Sequence, residues 1–263
     1  MKTLDIGLDR NRIDGNYPKP GTKNYTRANY SDDVVLSIDR DILTATVVGR
    51  LTEIPKPNNK HQVRGGYILG VDRGQWGGCV IFVPEQEIDN LPCDLCNGPS
   101  IKWLIQLEML KNEELHILTY NNFKGFAEYG CRKFVFTGLA NMGTDEGCFY
   151  ELILQENTWV LREIQKLDSC PQVFTQTGSK IYLVTSDCLV ELNLEEDKPK
   201  TKILFEGVDW GGLYPNSMIY ANNSLYVGMR GFVYEYDLNS GNATWYNYLS
   251  YDKESVKELE DKE

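Results

Sequence analysis

The chain has only two histidines, His61 and His116, among its 263 residues. That scarcity narrows the chemistry open to it. A Ser-His-Asp hydrolase would have to recruit one of the two. His61 falls in a lysine-containing polar loop and His116 in an apolar, strand-like stretch. The sequence also lacks a Gly-x-Ser-x-Gly elbow, a His-Glu-x-x-His zinc motif and a Gly-x-x-x-x-Gly-Lys phosphate loop. Basic residues are in deficit: 27 Lys and Arg stand against 38 Asp and Glu, for a net charge of −11. Such a surface repels phosphate backbones and anionic lipid, so neither a nucleic acid nor a membrane is an expected partner. It favours solubility and attraction to a basic partner. No apolar run reaches the roughly 18 residues that span a bilayer. The stretch Met1–Arg10 has no apolar core of signal-peptide length, and the expected location is the cytoplasm.

Cysteine is present in an odd number, seven. Cys79, Cys148 and Cys188 lie inside apolar stretches, which predicts buried thiols in a reducing compartment. Cys93-Asp-Leu-Cys96 is a single CxxC. A zinc site needs a second pair or a nearby His, and a thioredoxin-like role needs an α/β frame. Asp9-Arg-Asn-Arg-Ile-Asp14-Gly15 departs from calcium-loop spacing. No metal and no cofactor is expected.

What the sequence does have is an internal repeat. Lys180–Leu194 aligns without a gap on Ser224–Leu238 at an offset of 44 residues. Tyr182 meets Tyr226, Glu191 meets Glu235, and Pro171 meets Pro215. A third copy runs upstream through Lys133–Phe136 and Cys148–Leu152. Multi-strand repeats of this period mark a propeller or a related β-array. The expected fold is therefore an all-β propeller of five to six four-stranded blades, one domain over residues 1–250. An extended arm, residues 1–31 with a possible strand Leu4–Leu8, precedes it, and a charged tail follows over 251–263. Strands are predicted at Val34–Ile38, 42–49, 66–72, 79–83 and 115–120, with a loop over 53–64. Three further units span about 126–167, 171–206 and 215–250. Ile101–Leu110 reads as either an outer strand or a short helix. The inner strands are apolar on both faces, as in sheets covered on both sides; a β-sandwich shares the strand spacing but has no need of a repeat.

Two turns share the tripeptide Trp-Gly-Gly: Asp72-Arg73-Gly-Gln-Trp76-Gly-Gly and Asp209-Trp210-Gly-Gly. Paired glycines allow close backbone approach, and a Trp beside them either fills a gap between blades or stands exposed as an anchor. The second turn continues through Tyr214 and Asn216 to Arg230, whose counterpart in the preceding repeat is Ser186. A residue that departs from its own repeat is a candidate for function; otherwise it is a solvated turn arginine or a partner for Asp209. The predicted contact set is Asp72, Arg73, Trp76, Asp209, Trp210, Tyr214, Asn216 and Arg230.

The run Gly212-Leu-Tyr-Pro-Asn-Ser217 followed by Leu225–Arg230 resembles bacterial propeller-like proteins, over roughly residues 126–238. At the level of fold the chain is similar to the YVTN and lactonase-type propellers. The lactonase-type enzymes bind a divalent metal through Glu, Asp and Asn side chains, and that set does not map position by position here. With 16 tyrosines, which give large contact area with few rotors to freeze, the favoured expectation is a non-catalytic protein-binding propeller. Its partner would be a protein, in the narrower version a basic toxin that it neutralises as an immunity protein. The alternative is a metal-dependent lactonase- or lyase-like enzyme using Asp72, Asp209 and Glu146, with Arg230 neutralising an anionic substrate. A third reading is a lectin that stacks sugars on the Trp-Gly-Gly turns.

Overall fold

The computed structural model describes residues 12–13, 18–39, 42–49, 59–72, 74, 77–90, 116–141 and 143–248. The fold is all-β and propeller-like, built from antiparallel sheets in which, apart from Arg12–Ile13 beside Ala243–Asn247, paired strands are consecutive in sequence. The described residues form five sheets: three of four strands, one of five and one of two. By contacts the chain divides into two compact units.

The first unit draws on Met1–Pro55, Gln172–Asn193 and Thr201–Glu263. It begins with β1 (Arg12–Ile13) and helix α1 (Lys23–Tyr30), followed by the hairpin β2 (Val34–Asp39) and β3 (Ile42–Val47). Two larger sheets follow the internal repeat. One holds β12 (Pro171–Thr177), β13 (Lys180–Thr185), β14 (Cys188–Asn193) and β15 (Lys202–Glu206). The other holds β16 (Ser217–Ala221), β17 (Ser224–Met229), β18 (Phe232–Asp237) and β19 (Ala243–Asn247), with β1 added on the outside of β19. A short helix, α2 (Trp210–Leu213), lies between them in sequence.

The second unit draws on Lys56–Pro171 and Leu194–Lys200. Its sheets are β4 (Lys60–Val63), β5 (Gly66–Val71), β6 (Cys79–Pro84), β7 (His116–Thr119), and β8 (Phe123–Tyr129), β9 (Arg132–Asn141), β10 (Thr144–Gln155), β11 (Thr158–Leu167).

Two expectations are corrected. Within the expected extended arm, residues 23–30 are helical. Thr22 caps α1 by accepting a 3.3 Å hydrogen bond from the Tyr25 N–H, and the helix stops where Ser31 donates to the Arg27 carbonyl. The loop expected over 53–64 ends early, because Lys60–Val63 pairs with β5. Leu4–Leu8, Ile101–Leu110, the Cys93–Cys96 motif and the tail from 251 lie outside the described residues. Among the cysteines, Cys79, Cys148 and Cys170 are buried and Cys131 is exposed.

The repeat has a structural meaning. Tyr182 sits opposite Glu191 in the β13–β14 register, and Tyr226 sits opposite Glu235 in β17–β18. Glu235 accepts from the Tyr226 hydroxyl at 2.8 Å and from Tyr246. Glu191 takes Lys180 at 3.1 Å. In β10 the corresponding Glu151, 5% exposed, takes Arg132 Nε at 2.8 Å and Arg162. At this repeat position β10, β14 and β18 thus each carry a carboxylate, and each is met by a different donor set. The turns between strands use backbone that few residues adopt. Asn222 and Asn223 both have positive φ, the two-residue hairpin geometry that asparagine tolerates. Inside β17 only glycine fits at position 228: a Cβ on Gly228 would stand 2.4 Å from the Val34 carbonyl oxygen and 2.5 Å from Ser217 Oγ.

The Glu151 cluster makes a pH prediction. Burial pushes the Glu151 carboxyl up, but hydrogen bonds and charges from Arg132 and Arg162 overcome this and hold its pKa below the ordinary value. Its stabilisation is therefore complete above the unfolded carboxyl value of about 4.3 and is lost as pH falls through the lower folded value. Urea unfolding measured from neutral to acid pH should show Glu151→Gln less stable than the natural protein at neutral pH, with the gap closing in acid. A gap that stays constant with pH would refute the assignment. Arg132 also donates to the carbonyls of Leu194, Glu196 and Asp197 in the same unit, so its loss disturbs more than the ion pair.

Candidate functional site

Four of the predicted contact residues come together in the first unit around α2. Asp209 caps this short helix, accepting from the Gly212 N–H at 3.1 Å. Its other oxygen accepts a 2.6 Å hydrogen bond from the Tyr25 hydroxyl of α1. Burial, then the hydrogen bond and charge of Asp209, raise the Tyr25 pKa, so the phenol stays protonated as donor. The helix ends at Tyr214, which takes the left-handed conformation at φ 55° and ψ 61°. That conformation is uncommon for a bulky residue and costs energy that the surroundings must offset. It turns an aromatic ring outward, 40% exposed.

Arg230 lies beneath this ring. Its guanidinium carbon is 3.6 Å from the Tyr214 ring centroid, within cation–π range. Its backbone N–H donates to the Leu213 carbonyl at 3.2 Å, fixing the turn that carries Tyr214. Its Nε is 3.8 Å from Asp33 Oδ2, an ion pair longer than a hydrogen bond. Asp33 is 2% exposed and bridges Arg230 through the backbone as well. Its other oxygen accepts from Asn216 Nδ2 at 3.0 Å. Asn216 is 5% exposed; its N–H donates to the Gly228 carbonyl at 2.9 Å, and its Oδ1 accepts from Ser217. The result is an exposed ring on a buried, hydrogen-bonded base whose two charges oppose each other. It offers a contact surface.

Not every predicted residue is available for contact. Trp210 is corrected from contact residue to core: it is fully buried, stacked on Trp245 at 5.8 Å and edge-on to Tyr234 at 4.9 Å. The apolar neighbours Leu213, Val227, Met229 and Phe232 complete that core. Asn216 is likewise a buried brace. Asp72 belongs to the second unit, where it accepts from the Gly74 N–H at 2.8 Å and pairs with Lys124 at 3.1 Å, holding its own turn. Arg73 and Trp76 lie outside the described residues. Glu146 is exposed on β10. Among the described residues no group of three or more His, Cys, Asp or Glu is placed to hold a metal ion, and none of the described helices is long and apolar enough to cross a membrane.

Sequence reading missed Asp33 and Tyr25. Asp33 reaches Asn216 across 183 residues of chain and Tyr25 reaches Asp209 across 184. The available signal was local and weak: a helix of polar residues ending just before an aspartate that opens an apolar strand.

No family model matches the chain, and no curated protein matches it. Among solved structures it is similar to the N-terminal domain of Nup159, with 15% identity and a TM-score of 0.36 over 74% of this chain and 44% of that one. It is similar to a luciferin-regenerating enzyme, with 10% identity and a TM-score of 0.42 over 83% and 76%. The extracellular domain of BT4673 from B. thetaiotaomicron gives 13% identity and a TM-score of 0.40 over 81% of this chain and 27% of that one. The chain thus spans under half the length of two of these three. At such scores none of them carries an argument about what this protein does.

Proposed function

We propose that the protein is a non-catalytic protein-binding module and that Tyr214 is its anchor. One observation carries this reading: an exposed aromatic ring is held rigid by a cation beneath it and by a strained backbone that a buried network sustains. A rigid aromatic contributes contact area to an interface with little ordering cost. The net charge of −11 favours a basic partner, and in the narrower version that partner is a toxin which the protein neutralises in the cytoplasm. An odd set of seven cysteines, with Cys79, Cys148 and Cys170 buried, suits a reducing compartment.

The test compares partners retained from native lysate by the natural protein and by Tyr214→Ala. The expected result is at least one basic protein held at moderate salt by the former and lost, by about 2 kcal/mol or more of binding energy, in the latter. Its circular dichroism spectrum should match that of the natural protein, which separates loss of the contact from loss of the fold. Equal retention of every partner by both proteins would reject Tyr214 as the anchor.

A further inference from the structure

Helix α2 has four residues, and Gly211 and Gly212 are two of them. A helix this short does not hold itself, and interior glycine weakens it further. Its pose is therefore set by what touches it. Trp210 is sunk in the core. The Gly211 N–H donates to the Ser186 carbonyl at 3.2 Å, and the Leu213 carbonyl accepts from the Arg230 N–H at 3.2 Å. A further tie runs from the Tyr25 hydroxyl through Asp209 to the Gly212 N–H. Gly212 shows that this tie is built in. A Cβ there would stand 1.7 Å from Tyr25 Oη and 2.8 Å from Asp209 Oδ2, so a side chain would drive the hydroxyl off the carboxylate. At Gly211 the nearest atom to a Cβ would be Ser186 Cβ at 3.6 Å, an ordinary contact. Alanine would favour the helix at either position; at 212 the close approach of Tyr25 and Asp209 forbids it.

We propose that Tyr25 is a positioning residue for Tyr214: its hydroxyl orients Asp209, Asp209 fixes the single turn of α2, and that turn places the Tyr214 ring over Arg230. The left-handed backbone at Tyr214 is unfavourable for a bulky residue, so it has to be held from both sides. Arg230 holds it from below, through the Leu213 carbonyl and the ring itself. Tyr25 holds it from the helix start, through the Asp209 cap. A hydrogen bond to a carboxylate is among the stronger ones that a phenol makes, and one hydroxyl thus controls how the ring is presented. This inference rests on the reading of Tyr214 as the anchor and adds what keeps that anchor in place.

Nuclear magnetic resonance of the full chain tests this without a partner. The Arg230 guanidinium carbon is 3.6 Å from the Tyr214 ring centroid and Nε is buried, so the Nε–H resonance carries a ring-current shift. Tyr214→Ala gives its position without the ring. Tyr25→Phe removes one hydroxyl and keeps the ring that packs against the core. Its resonance should move most of the way to the Tyr214→Ala position, with an unchanged circular dichroism spectrum. Asp209→Ala, which cuts the same tie in its middle, should do likewise. Asp209→Asn should keep the natural position, because its amide nitrogen donates to the Tyr25 hydroxyl while its carbonyl oxygen still caps Gly212. A general loss of stability would not follow that order. A resonance that stays at the natural position in Tyr25→Phe and Asp209→Ala overturns the proposal, whatever native lysate shows. If the resonance moves as expected but Tyr214→Ala loses no partner, the anchor reading fails and the positioning by Tyr25 stands. Where Tyr214→Ala does lose a partner, Tyr25→Phe should lose it too, and a variant that keeps it refutes the proposal.

Discussion

Trp210→Ala is expected to destabilise the protein by roughly 3–5 kcal/mol, the range for removing a fully buried large aromatic. The ring is completely enclosed, stacked on Trp245 and edge-on to Tyr234, with Leu213 and Met229 in the same cluster. A cavity of that size cannot close, because the neighbours are held by strands β17 to β19 on one side and by the short helix on the other. Against a total stability of about 5–15 kcal/mol for an ordinary domain, the loss leaves the first unit close to unfolding. Trp210→Phe supplies the control. The indole Nε1 has no hydrogen-bond partner, so a phenyl ring forfeits area but no polar contact and should cost under about 2 kcal/mol. Urea denaturation of both variants checks this. If the alanine variant costs less than the phenylalanine variant, Trp210 does not anchor this core.

Asp33→Ala should cost a further large amount, about 3–5 kcal/mol, for a different reason. It leaves the Arg230 charge, with a side chain only 16% exposed, above a site that has lost its carboxylate. It also leaves Asn216 Nδ2 buried without its acceptor. The double variant Asp33→Ala with Arg230→Met removes the stranded charge, so it should be less destabilised than the sum of the two single changes. That sub-additivity, read from a double-mutant cycle by urea unfolding, measures the coupling. Strict additivity would mean that the ion pair contributes nothing. Because Arg230 supports the Tyr214 ring, Asp33→Ala should also weaken any partner that Tyr214→Ala loses.

These two residues show where sequence reading succeeds and where it stops. The aligned pairs Tyr182–Glu191 and Tyr226–Glu235 turned out to be cross-strand neighbours, because a hairpin register repeats with the sequence that forms it. The three units after residue 123 follow the predicted spans closely for the same reason: turns and alternation are local. Arg230, which departs from its repeat, lies under the Tyr214 ring and beside Asp33. The expected alternative partner was Asp209, nearby in sequence, but the carboxylate at Arg230 belongs to Asp33. Likewise, Trp-Gly-Gly gave no means of telling a buried ring from an exposed one. Trp210 went inward to pack against Trp245 of β19 and Tyr234 of β18, and Tyr214 came outward because the helix ends there in a left-handed turn.

From its residues alone this chain is an all-β, acidic repeat protein with hairpin sheets in sequence order, since strand periodicity, turn chemistry and charge are properties of short segments. Which side chains form the candidate site was decided only by tertiary structure. Asp33 and Tyr25 meet Arg230, Asn216 and Asp209 from almost 200 residues away, and contacts over such distances depend on how separate sheets and helices pack, which no local pattern encodes.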